Sequence, residues 1–246
     1  MFRRLTLIAA ITAAGAITMA NGPATADPVV LPDIDGGLLS CTQLVPHVLS
    51  LDNTPVRLDL RILLDGASQS EAQTAVTAMR RAYEPIGVTI ADSYQAVSFT
   101  GVDANGLTQQ AKDLYGGVRP AGIDVVYTLT TKDITAAGVT GNNVAGLADC
   151  IGGVRYADRA FAVGEVHGVG TPLLPIPVSD GTGKIMAHEV GHLLGGHHHY
   201  SSPEGLLASD PSALTLMGPT LSLISLRFST LNSLMVKGHA QRYAAP

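Results

Sequence analysis

From residue 56 the chain alternates. Val56, Leu58, Leu60 and Ile62 are apolar, and the residues between them, Arg57, Asp59 and Arg61, are charged. A period of two marks a strand with one buried face, which predicts a strand over 56–64. The period then lengthens. Ala72, Val76, Met79, Ala82 and Tyr83 recur at helical spacing and predict a helix over 68–83. Ser68 or Ser70 is placed to cap its start, and Pro85-Ile86-Gly87 to end it. A second strand is expected within 88–99. A short helix is expected over 106–115, closed by Gly116-Gly117. A third strand over 123–129 is almost wholly apolar, which fits burial on both faces. This β-α-β-α-β order favours a largely parallel sheet with crossover helices. Short strands are expected over 144–148 and 160–166, followed by a Gly/Pro-rich loop over 168–180. A helix is expected from about Thr182, an irregular stretch from 200 to about 228, and an amphipathic helix over 229–243.

Composition sharpens this picture. Hydrophobic residues make up 46% of the 246 positions and charged residues 14%, enough apolar material for a substantial core. Aromatics are 4% and Trp is absent, so that core must be aliphatic. The formal net charge is −5 and no basic run exceeds two residues, which argues against a nucleic-acid partner. Arg3 and Arg4 precede an uncharged, mostly apolar stretch over 5–20, and Ala24-Thr25-Ala26 follows. That pattern predicts a signal peptide over 1–26, a mature chain from Asp27, secretion to the extracellular space or cell envelope, and no membrane association afterwards. Residues 27–54 read as an irregular N-terminal segment, a short pro-segment or a surface strap, and 55–246 as the folded domain. The two cysteines, Cys41 and Cys150, most simply form one disulfide in an exported protein. The rival reading makes Cys41 a thiolate that caps a metal before activation.

The chemistry concentrates in His188-Glu189-Val190-Gly191-His192-Leu193-Leu194-Gly195-Gly196-His197-His198. This fits H-E-x-x-H-x-x-G-x-x-H. Residues four apart on a helix share one face, so His188 and His192 can reach one metal ion. Gly195 can take the left-handed conformation that ends a helix, letting the chain turn and return His198 as third ligand. Three protein ligands leave a coordination position open, the mark of catalytic rather than structural Zn2+. Glu189, beside the first ligand, is placed as general base. At this chain's His, Glu and Gly frequencies the five fixed residues would coincide on the order of once in ten million positions, which sets aside a fortuitous His-rich loop. His197 is one residue out of register. His47, His167 and His239 read as surface or hydrogen-bonding histidines, and Asp149 as a group that could support a ligand.

The extended motif resembles that of the metzincin metalloendopeptidases, with Arg227-Phe228-Ser229 and the stretch 144–148 before Cys150 similar to reprolysin/adamalysin-like members. The resemblance implies a metzincin-like zincin α/β (α+β) fold. Its mostly parallel twisted sheet has an antiparallel edge strand, its upper lobe spans about 55–195, and its small C-terminal lobe spans about 196–246. It implies that Met217, in Leu214-Thr215-Leu216-Met217-Gly218-Pro219, packs beneath the imidazoles without ligating. It further implies a protein or peptide substrate laid along the edge strand near 144–149 and a specificity pocket beside the metal, for which Leu221, Leu223 and Ile224 are candidate lining residues that could equally be plain core. A secreted zinc endopeptidase, acting as a monomer, is therefore expected. A zinc-binding protein without peptidase activity and a zinc hydrolase of another substrate are the alternatives. Two features depart from the pattern: His199 follows the third ligand, and Gly218-Pro219 rather than a tyrosine follows Met217. They leave subfamily, substrate and activation open.

Overall fold

The computed structural model describes residues 48–137, 144–166, 178–198, 215–218 and 226–244, with the backbone alone at 178–180. The signal-peptide region, Cys41, His47, His167, His199, Leu221, Leu223 and Ile224 lie outside these residues. At the centre is a five-stranded sheet made of β1 (Val56–Asp65), β2 (Val88–Val97), β3 (Val125–Thr130), β4 (Gly146–Ala148) and β5 (Phe161–Glu165). Its order is β2-β1-β3-β5-β4. All pairings are parallel except β4 with β5, which is antiparallel and leaves β4 at one edge. The mostly parallel sheet with an antiparallel edge strand is thus present. Four helices accompany it among the described residues: α1 (Gln69–Tyr83), α2 (Ala104–Leu114), α3 (Val178–Leu193) and α4 (Thr230–Tyr243).

The alternation in β1 does what its period demands. Leu58, Leu60 and Ile62 are fully buried and join residues of α1, α3 and α4 in the main apolar core. On the opposite face Leu63, Val126 and Phe161 pack with Ala111 of α2. The central strand β3 is buried at every position, as its mostly apolar sequence suggests. Helix α1 starts at a capping box: the Ser68 hydroxyl accepts the Glu71 N–H, and the Glu71 carboxylate accepts the Ser68 N–H.

Several boundaries differ from expectation, and two of them adjoin the site. The edge strand begins at Gly146 rather than 144 and has only three residues, a common way of limiting an exposed edge. Helix α3 begins at Val178 rather than near Thr182. Gly181 and Gly183, both inside the helix, are poor helix formers. Packing overrides that propensity. A Cβ at Gly183 would stand 2.5 Å from Ala78 Cβ and 2.6 Å from the Ala75 carbonyl oxygen. The glycine is what lets α3 lie directly against α1.

Candidate metal centre

Helix α3 carries His188 and His192 one turn apart, both buried. It ends in a Schellman motif: Gly195 N–H donates to His192 O (2.8 Å) and Gly196 N–H to Gly191 O (2.8 Å). Gly195 adopts φ +86° there, a conformation that L side chains rarely take. The chain then reverses and brings His198 back to the helix face. The three Nε2 atoms form a small triangle: 2.9 Å from His188 to His192, 2.9 Å from His188 to His198, and 3.1 Å from His192 to His198. These three residues group as ligands around a single point, and His197 is not among them.

The hydrogen bonds behind the rings fix their chemistry. His188 Nδ1 faces the Leu216 carbonyl at 2.7 Å, and His192 Nδ1 faces the Gly196 carbonyl at 2.7 Å. A carbonyl can only accept, so each Nδ1 carries the proton and each Nε2 presents a lone pair. Lone pairs 2.9 Å apart repel one another unless a cation lies between them. Ligand nitrogens at about 2.0–2.1 Å from one zinc ion are compatible with a triangle of this size. Burial, then the neighbouring His188 and His198, hold the His192 imidazole well below its usual range, so the ring stays neutral as a ligand must. The donor set therefore fits zinc.

The Glu189 side chain lies against the edge strand. It is 1% exposed, and burial pushes its carboxyl up to about 8 while the Ala148 N–H, donating to it, opposes the rise. Its Oε2 has no hydrogen-bond partner among the described residues. Gly146 gives it room: a Cβ there would lie 2.8 Å from both Glu189 Cγ and Oε1. Met217 is fully buried beneath the helix. Its sulfur is 3.0 Å from where a Gly191 Cβ would be, and its methyl 3.2 Å from a Cβ at Gly196. It thus packs under both the helix and its terminal turn. Leu216 N–H donates to the Arg227 carbonyl (2.7 Å), anchoring the turn that contains Met217 to the segment entering α4.

A sequence profile of the metallopeptidase family M12B, reprolysin-like, matches residues 69–199, more than half of the chain. The chain belongs to that family. Two solved structures are similar to this metallopeptidase. Archaemetzincin from Methanopyrus kandleri aligns with a TM-score of 0.51 at 22% identity, over 81% of this chain and 100% of that one. Metalloproteinase-II from Bacteroides fragilis aligns with a TM-score of 0.50 at 14% identity, over 79% of this chain. The chain spans 58% of the length of the Bacteroides fragilis protein. At these identities the likeness establishes the zincin fold. No curated protein matches the chain. Zinc is the metal that this family and the His188, His192, His198 triad specify.

Other sequence candidates are placed elsewhere. Asp149 is engaged with Lys112 (2.9 Å) and Arg159 (3.4 Å), tying the end of β4 to α2 instead of supporting a ligand. His239 is buried on α4 with its ring against Gly195. Sequence reasoning missed Gly146 as the space for Glu189, and it missed Asn232. The Asn232 Oδ1 accepts His197 N–H (3.1 Å), and its Nδ2 donates to His197 O (3.2 Å). The only signal in the sequence was an amide amid the apolar residues of the last helix.

Proposed function

We propose that the protein is an exported zinc endopeptidase in which Glu189 is the general base. The observation that carries this reading is the pairing of two features on one helix. Three Nε2 atoms converge on one point, and the adjacent carboxylate is buried and held at the edge strand. A protein that merely stored zinc would gain nothing from a desolvated carboxylate one residue from the first ligand. His188, His192 and His198 hold the metal. Zinc, when bound, supplies Lewis acidity that makes water a better acid and a peptide carbonyl a better electrophile. Glu189 takes the proton that water gives up and delivers it to the departing amine. Burial alone keeps this carboxyl protonated near neutral pH, and a neighbouring dication favours its ionised form, the form a base needs. The outer side of β4 pairs with no other described strand, so its backbone can receive an extended peptide by strand addition.

Such recognition reads the substrate's backbone and suits loops or unfolded segments. Zinc-loaded protein is expected to cut casein, to stop when zinc is chelated, and to resume when zinc is restored. Zinc-loaded protein that cuts neither casein nor peptides would favour a zinc-binding protein without peptidase activity. Export through removal of residues 1–26, and a Cys41–Cys150 disulfide in a monomeric mature chain, complete the proposal. The intact mass of the exported protein checks both features at once: it should equal residues 27–246 less two hydrogens.

A further inference from the structure

His188 and His192 inherit their places from the backbone of α3. His198 does not. It follows the Schellman turn, beyond the helical hydrogen bonds, and its approach to the other two rings depends on whatever holds residues 195–198. Helix α4 holds them at two points. Asn232 and His239 are seven positions apart, close to two helical turns, so both face the same side. The His239 ring lies 2.5 Å from where a Gly195 Cβ would stand, which braces the start of the turn. At its end, the single carboxamide of Asn232 takes both backbone polar groups of His197. A planar amide that accepts the N–H and donates to the C=O of one residue restrains the peptide planes on both sides of it. The second of those planes is the His197–His198 peptide, from which the third ligand springs. Asn232 is fully buried, in the first turn of a helix that Ser229 caps by accepting the Asn232 N–H.

We propose that Asn232 is the positioning residue that presents His198 to the metal. The inference rests on the reading of the three histidines as zinc ligands. A purely structural role for Asn232, satisfying buried backbone groups, would appear as lost stability in the metal-free protein and nothing more. A positioning role adds a loss of metal affinity beyond it, because the free chain must then gather its third ligand on binding.

The test is a zinc competition titration of the full chain against a chromophoric chelator, with the visible spectrum of the Co2+-substituted protein as a second readout. Asn232→Leu keeps the volume and removes both hydrogen bonds. Asn232→Asp keeps the acceptor but turns an oxygen toward the His197 carbonyl, and carries the test if the leucine variant does not fold. Leu63→Ala, in the core on the opposite face of the sheet from α3, is the control for general destabilisation. Zinc affinity should fall roughly 10–100-fold in the Asn232 variants, with an altered Co2+ spectrum, and stay unchanged in Leu63→Ala. Wild-type affinity in a folded Asn232 variant, or an equal loss in Leu63→Ala, overturns the proposal. Wild-type protein that takes up no zinc overturns instead the ligand reading beneath it.

Discussion

Glu189 holds its place because a neighbouring atom is missing. The side chain of any residue other than glycine at 146 would press on its Cγ and Oε1 at 2.8 Å. Gly146→Ala must therefore move the carboxylate, the strand or both. A displacement near 1 Å of a catalytic group costs on the order of 10²-fold in rate. The expected outcome is a drop of that size in kcat at undiminished zinc content, measured by steady-state peptide hydrolysis beside metal analysis. A kcat equal to wild type would show that Glu189 does not depend on this contact. The sequence displayed His188, Glu189, His192, Gly195 and His198 openly, because their relation is local and follows from helical periodicity and one turn. It did not display Gly146 or Asn232. Their partners lie 43 and 35 residues away, and no periodicity connects them.

At the scale of elements, the C-terminal end of β1 is tied down by a buried carboxylate. Asp65 is 4% exposed and accepts from Lys132 Nζ (2.8 Å), Thr130 Oγ1 (2.9 Å) and Phe99 N–H (3.0 Å). It joins β1 to β3 and to the segment after β2. Burial acts to raise its carboxyl, but the hydrogen bonds from Lys132, Phe99 and Thr130 outweigh burial, and the net shift is downward. A folded-state value below the unfolded one, about 3.9, adds stability that is complete above the unfolded value. That stability is lost as pH falls through the lower, folded value. Asp65→Asn should cost about 2 kcal/mol at neutral pH, and the gap from wild type should close as pH drops below about 4. Urea unfolding of metal-free protein across that pH range checks it, and a gap that stays constant would contradict it. Strands and helices were legible as elements wherever a period ran for several turns, as in β1 and α1. Their ends were not. Helix α3 lies close against α1 because Ala75 and Ala78 meet Gly183, a fact of packing that no local propensity encodes.

Over the whole molecule, four segments distant in sequence meet at one site. Helix α3 gives two ligands and the proposed base, and the turn after it gives the third ligand. The segment around Met217, the edge strand and α4 set their positions. The Gly152 N–H donates to the His192 carbonyl (2.8 Å), so the loop bearing Cys150 also rests on the end of the zinc helix. Among the described residues no helix is long and apolar enough to cross a membrane. The central claim is that the histidines hold zinc while Glu189, which holds none of it, does the proton transfer. The most direct measurement compares wild type and Glu189→Ala for bound zinc and for casein cleavage in one preparation. The account predicts one zinc per chain in both proteins and cleavage by wild type alone, with the variant slower by about 10²–10⁴-fold. A variant that cuts as fast as wild type, or a wild type without zinc, would contradict it.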